Sequence, residues 1–482
     1  MANNDYFIHP YNFIPLSGEV QRKPYRPDLA HFSGYSGTIN VRLETLTRLF
    51  IPDRRKTPHG AEENHDDYMW LEKYIDSQGR GREHTHYAKF LRNANEQYII
   101  PGSSLKGMLR SVAEAISDSC FTRADEERVH EYGDYAHSKC RNPRDEQDDA
   151  EGLCMCCRIF GKVGNEGESA EEHSSNFKGR VNISDAVLDT TEKVDRTAYT
   201  LKVLGTPKPR EGEKYYYDDQ GKINGRKFYY HFRSGPEHFS TQRKSNQNCT
   251  IHESITEGAV FKFTIKFENL EQDELALLLY AILLDNKPGQ KSVSMAHKVG
   301  MAKPLGFGSV RLSIDKLAYS VNSNAYSDFS GSMTAIQQLD GNYSEELNKL
   351  LTGYPNPFAG SDKLYDIWRF PKTRHPEKVH YPDRSWTQDN KNVGLRLPRS
   401  GMFPKNFADK DKEFIDDVER VRKIREKTFE VIVLQPGRFA KCTNEEGEKI
   451  EVLCRDRTIR KGDTILVYKT EKGVYIHFQE EG

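Results

Sequence analysis

Ile100-Pro101-Gly102-Ser103-Ser104-Leu105-Lys106-Gly107-Met108-Leu109-Arg110 holds a turn and the start of a helix. Pro101 and Gly102 bend the chain, and Ser103 or Ser104 is placed to cap that helix. Leu105, Met108, Leu109, Val112, Ala113 and Ile116 then recur at helical spacing, giving one apolar stripe. Unpaired N–H groups at a helix N-terminus attract phosphate, and Lys106 and Arg110 stand one turn apart to add charge. The same residues would also serve as an ordinary capped helix with solvated cations. Ahead of this run Ile39, Val41 and Leu43 alternate as a half-buried strand, and Val181 and Ile183 start another after it. The second half repeats the order. Phe261, Phe263, Ile265 and Phe267 alternate; Leu275, Leu278, Leu279, Ile282 and Leu283 make a helical stripe; Val310, Leu312 and Ile314 alternate again. Two β-α-β units predict an α+β fold built on a ferredoxin-like (RRM-type) sheet with its helices on one face.

The chain has 482 residues, 36% hydrophobic and 30% charged, with a net charge of −1. Its longest apolar run, Leu275 to Leu284, is about half the roughly 20 residues a bilayer span needs, so no membrane is expected. The N-terminus lacks the basic-then-apolar order of a signal peptide, which predicts a cytoplasmic protein. Neutral overall, the chain is locally polarised. Residues 118–172 carry 15 Asp/Glu against 7 Lys/Arg, and residues 196–250 carry 11 Lys/Arg against 5 Asp/Glu. Such blocks predict one anion-facing side.

A second informative run is His297-Lys298-Val299-Gly300-Met301-Ala302-Lys303-Pro304-Leu305-Gly306-Phe307-Gly308-Ser309-Val310. Glycines let a backbone approach a sugar-phosphate chain closely, and lysines neutralise it. No Lys-Ser/Thr pair follows a glycine as a phosphate-binding hydrolase loop requires, so nucleotide hydrolysis is a poor reading. A flexible connection is the plainer alternative.

Eight cysteines in a reducing compartment favour metal over disulfides where they cluster. His137-x2-Cys140 and Cys154-x2-Cys157 form two short pairs inside the acidic stretch, the spacing of a structural zinc knuckle, with Cys120 and Cys156 as possible substitutes. Cys249, Cys442 and Cys454 read as packing residues. From Tyr319 to about Glu426 the chain is rich in Pro, Gly, Asn and aromatics and shows little periodicity, which reads as an extended linker. Phe429–Leu434, Phe439–Cys442, Ile450–Cys454, Thr464–Tyr468 and Val474–Phe478 read as five short strands, a small all-β OB/S1-like barrel.

Together, the Pro-Gly-Ser-Ser helix motif, the glycine-rich loop and the block Cys157-Arg158-Ile159-Phe160-Gly161 with Gly179-Arg180-Val181-Asn182-Ile183-Ser184-Asp185-Ala186 resemble the RAMP superfamily. Members of that family form the backbone of type III CRISPR effector complexes. The resemblance covers about Gly37 to Asp315. It implies a ferredoxin-like RAMP core over residues 1–318, with an acidic zinc-knuckle insertion at 118–178 and a basic thumb-like arm at 196–257. A linker at 319–426 and a barrel at 427–482 lie beyond it. It further implies guide (CRISPR) RNA, complementary target nucleic acid and other effector subunits as partners. Gly102, Ser103, Ser104, Lys106 and Arg110, with Lys298, Gly300, Lys303, Gly306 and Gly308, would lie along the guide. Tyr215-Tyr216-Tyr217 and Phe228-Tyr229-Tyr230 would sit on a thumb hairpin between guide and target. Cleaving members carry an aspartate just before the helix motif, where a metal such as Mg2+ assists; here no aspartate stands between Asp76 and the motif. A binding subunit is therefore the leading expectation. An endoribonuclease acting through His84, His86 or Asp76 in the 53–90 loop is the alternative.

Overall fold

The computed structural model describes residues 10–53, 69–122, 132–142, 151–163, 176–204, 223–285, 295–321, 334–337, 345–370 and 428–477, with short breaks inside some of these ranges. The chain divides into two compact units, one of residues 10–379 and one of residues 380–482 together with 1–9.

Three long strands hold the larger unit together: β1 (Tyr35–Thr45), β4 (Val260–Leu270) and β5 (Ser309–Val321). β1 lies between the other two and is antiparallel to both. Their registers stack apolar residues into rows across the sheet: Phe261, Leu43 and Leu312 form one row, and Phe263, Val41 and Ile314 the next. All six side chains are buried. A bulge between Ile314 and Lys316 shifts β5 by one residue and puts Leu317 opposite Ile39. β2 (Val181–Ile183) and β3 (Ala186–Leu188) pair with the far edge of β4. The sheet ends at Ile99–Ile100 on one side and at His297–Lys298 on the other.

Two helices cover the sheet. α1 (Gly102–Ile116) buries Leu105, Met108, Leu109, Val112 and Ala113, the stripe read from the sequence. α2 (Gln272–Leu283) is buried from Glu274 through Leu283 and starts in a capping box of Glu271 and Glu274. Glu274 has no exposed surface and lies 2.7 Å from Arg158 and 2.6 Å from Arg180. Burial opposes the charge on Glu274, but Arg180 and then Arg158 hold its carboxyl below the usual range.

The expected linker is corrected over its described part. β5 runs to Val321, Thr334–Gln337 adds a strand to its edge, and α3 (Glu345–Leu351) packs on α2. Phe358, Leu364, Ile367 and Trp368 are buried, and the Trp368 carbonyl accepts the Ala296 N–H at 2.8 Å. Isolated aromatic anchors, having no period, hid this docking from the sequence. Residues 371–427 lie outside the described ones.

The thumb-like arm is corrected in the same way. Tyr199–Thr200 and Cys249–Ile251 join the hairpin of Met69–Ile75 and Gly81–Tyr87 in a four-stranded sheet. Arg226–Tyr229 pairs with Tyr11–Ile14, and Tyr230 is wholly buried. Tyr230 therefore packs into the protein, Phe228 and Tyr229 are half-buried on a strand of it, and Tyr215-Tyr216-Tyr217 lies outside the described residues.

In the smaller unit β6 (Thr428–Gln435), β7 (Phe439–Thr443), β8 (Lys449–Leu453), β9 (Thr464–Lys469) and β10 (Tyr475–His477) close into a barrel in the order β6-β7-β8-β10-β9. Val431, Val433, Ala440, Cys442, Val452, Cys454 and Val467 fill it, so Cys442 and Cys454 are packing residues.

Candidate nucleic-acid groove and metal centre

The start of α1 is built to hold the protein's own chain. Pro101 occupies the capping position, and neither Ser103 nor Ser104 caps the helix through its side chain. The Gly102 N–H donates to Asp185 Oδ1 at 2.8 Å, so a carboxylate already stands where a phosphate was expected. A Cβ on Gly102 would collide with the Ile183 carbonyl, which explains the glycine: it lets α1 seat on the β2–β3 turn. Ser103 and Ser104 are exposed, and Lys106 is half-buried. Burial, and then the charge of Arg110, lower the Lys106 pKa. Arg110 turns inward, toward a cluster of cysteines.

The glycine-rich loop is likewise folded against its own unit. Gly308 has φ +74°, and a Cβ there would strike the Val299 carbonyl oxygen. At Gly300 it would meet the Phe50 carbonyl, and at Gly306 the Phe232 ring and Ser234. The Lys298 ammonium donates to the Phe307 carbonyl at 2.8 Å, closing the loop on itself. The Lys303 ammonium makes no hydrogen bond or ion pair with the described residues, and burial lowers its pKa. Among the described residues no anion stands beside it.

Both segments open onto one groove of about 840 Å³. Ser104 and Gly107 of α1 line one side; Lys298, Gly300 and Lys303 of the loop line another. Gly102, Ser103, Lys106, Gly306 and Gly308 do not line it. Among the described residues its charged lining is Arg110, Arg226, Lys227, Lys298 and Lys303 against Glu114. Lys227 sits 3.9 Å from the Tyr11 ring centroid and 5.4 Å from that of Tyr229, and burial pushes its pKa down to about 8. Phe228 meets Trp368 edge-on at 5.2 Å, and both line the groove. On the groove floor the His297 Nε2–H donates to the Ile282 carbonyl at 3.0 Å, and its Nδ1 has no partner among the described residues. Burial lowers this imidazole to about 4, which keeps it neutral. Sequence reasoning missed Arg226 and Lys227 as groove residues; the signal was Gly225-Arg226-Lys227, taken there as part of the arm.

Close to the groove four thiols converge. The Sγ atoms of Cys120, Cys140, Cys154 and Cys157 all lie within 4.8 Å of one another, and all four are buried. Cys120 is 3.5 Å from Cys157 and 3.6 Å from Cys154. Four sulfurs at about 2.3 Å from a tetrahedral ion stand roughly 3.8 Å apart, so the cluster fits such an ion closely. The predicted set of His137, Cys140, Cys154 and Cys157 is corrected at one place: Cys120 closes the cluster. His137 Nδ1 lies outside it, 3.1 Å from Cys120 and 3.7 Å from Cys157. Burial, with Lys162 and Arg110 nearby, pushes His137 down to about 4, so it stays neutral beside the sulfurs. Cys156 points elsewhere, to Ser117 Oγ at 3.5 Å, and burial pushes its thiol up to about 12. The paired spacing misled the sequence reading because one ligand comes from just beyond α1.

A profile of the RAMP superfamily matches residues 42–311. The chain belongs to the RAMP superfamily. Among solved structures it is similar to "Crystal structure of Thermofilum pendens Csc2", at 13% identity over 84% of this chain and 95% of that one, with a TM-score of 0.30. Among curated proteins none matches it.

In this RAMP chain the three residues weighed for RNA cleavage are spoken for. His84 is fully buried, bonded to the Ser245 carbonyl at 2.8 Å and to Thr250 Oγ1 at 2.9 Å. His86 is 2.7 Å from Glu72 and 3.0 Å from His252, with Trp70 stacked on its ring at 4.7 Å. Asp76 lies at the tip of the 69–87 hairpin, where the backbone N–H groups of Arg80 and Gln78 and the Arg82 and Arg80 side chains hold its carboxyl well below the usual range. None of the three lines the groove. No described helix is long and apolar enough to cross a membrane.

Proposed function

We propose that this RAMP protein is a guide (CRISPR) RNA-binding backbone subunit of a type III CRISPR ribonucleoprotein effector, cytoplasmic, and assembled with other effector subunits on guide and target. The observation that carries the reading is the shared groove: α1 and the glycine-rich loop face one cavity lined, among the described residues, by five cations and one carboxylate. A half-buried cation such as Lys303, with no anion beside it among the described residues, is offset by a phosphate, while aromatic walls suit unpaired bases. The contact is with backbone and stacked faces, so little sequence preference is expected. The order β5-β1-β4-β2 with α1 and α2 packed on the sheet supports a ferredoxin-like core, and the closed five-stranded barrel supports an OB/S1-like module.

The cysteine cluster is read as a structural zinc site, with Cys120, Cys140, Cys154 and Cys157 as ligands. Zn2+ suits four thiolates in a tetrahedral, fully closed arrangement and would hold together an insertion too polar to form a core. A binding role is favoured over cleavage because His84, His86 and Asp76 are each engaged within the protein; Mg2+ would be needed only by a cleaving subunit. The test is to purify the protein with its assembled partners and sequence the nucleic acid that accompanies it. Guide-repeat RNA is the expected result, and an assembly free of RNA would overturn the proposal.

A further inference from the structure

The cysteine cluster and the groove share a wall. Arg110 lines the groove, yet its guanidinium donates to the Gly161 carbonyl at 2.7 Å, approaches Cys157 Sγ at 3.7 Å and bonds Glu114 Oε1 at 2.9 Å. A second connection runs through Arg226, also on the groove wall. It pairs with Glu114 at 3.4 Å, donates to the Ser119 carbonyl and stacks on Phe121 at 4.0 Å. Ser119 and Phe121 flank the ligand Cys120, and Ser119 Oγ accepts the Cys156 N–H at 3.4 Å. α1 therefore lines the groove from Ser104 to Glu114, and the chain runs from its end within four residues into a cluster ligand.

We infer that Arg110 is a positioning residue through which metal occupancy of the cysteine cluster sets the shape, and so the RNA affinity, of the groove. This rests on the proposal that the groove binds RNA and the cluster binds metal. With a metal bound, the 151–163 segment is tied to Cys120, so Cys157 and Gly161 hold one side of the guanidinium in place while Glu114 holds the other. When the metal leaves, the 151–163 segment loses its tie to Cys120, and the Gly161 carbonyl and Cys157 that anchor Arg110 move with it. Glu114 and Arg226 then have room to shift, and with them the groove wall. Outer partners of metal ligands typically change metal affinity or activity by about 10–100-fold when removed, which sets the scale. Coupling of this kind is reciprocal: if metal tightens RNA binding by some factor, RNA tightens metal binding by the same factor.

The test uses the full chain, fluorescein-labelled oligouridine and Zn2+ set by a chelator buffer, with far-ultraviolet circular dichroism to monitor folding. The metal-loaded wild type should bind the oligomer, and metal removal should weaken binding on the order of tenfold. Saturating oligomer should raise Zn2+ affinity by the same factor. In Arg110→Met the two ligands should become independent, each binding alike with or without the other, and Arg110→Lys should restore little because an ammonium cannot span all three partners. Hydrogen exchange on the wild type gives a readout without substitution: chelation should speed exchange at residues 104–111 and 226–231. Affinities that ignore metal, or coupling that survives in Arg110→Met, would overturn the inference while leaving the groove as an RNA site. Failure of the metal-loaded wild type to bind the oligomer would overturn the groove reading itself.

Discussion

Lys303 sits half-buried on the groove wall with no carboxylate beside it among the described residues, so its partial desolvation costs free energy that a bound phosphate would offset. Lys303→Ala should therefore weaken oligouridine binding and flatten the log-affinity against log-salt line by about 0.7, the share of one phosphate on a single strand. Its melting temperature should not fall, because no native partner is lost. Anisotropy across a salt series, with a melting curve, checks both. Glu274 makes the opposite case. Removing its charge in Glu274→Gln leaves Arg158 and Arg180 buried without an anion and should cost about 3–5 kcal/mol, read by urea unfolding. Because the folded carboxyl titrates below 4.5, its contribution is fully present above that pH and is lost as pH falls through the lower folded value. Wild-type stability should drop below pH 4.5 more steeply than that of Glu274→Gln. Arg110 shows what residue type alone conceals: at one helical turn from Lys106 it reads as a second phosphate contact, and only the fold shows it turned toward Cys157.

At the scale of elements, the glycine-rich loop depends on backbone approach to Val299, Phe50 and Phe232. Gly308→Ala must hold φ near +74° and displace the Val299 carbonyl, which should cost at least about 1–3 kcal/mol and lower the melting temperature by several degrees. RNA affinity should fall with it, since Lys298 and Lys303 ride on the same loop. The elements themselves were legible where periodicity is strong. Val41 and Phe263 alternate, Leu105 to Val112 keep the helical period, and the barrel strands stand between turn residues, because each pattern directly reports one buried face. What could not be read is contact between elements. Trp368 and Phe358 anchor a segment with no period, Cys120 reaches the cluster from beyond α1, and Asp185 occupies a helix N-terminus 83 residues earlier in the chain. His84 and His86 looked available in sequence; the sheet that buries them is assembled from residues more than 160 positions apart.

Across the whole molecule, a chain of net charge −1 places five cations and one carboxylate, among the described residues, on a single groove, so its affinity for a polyanion is a property of placement and not of overall charge. That placement is the central claim, and salt dependence tests it most directly. If Lys227, Lys298 and Lys303, with or without Arg226, each neutralise a phosphate, log affinity for a single strand should fall with log salt at a slope of about −2 to −3. Oligouridine and oligoadenine should give nearly the same line. Absence of binding at low salt, a slope shallower than about −1, or affinity governed by base sequence would contradict the account.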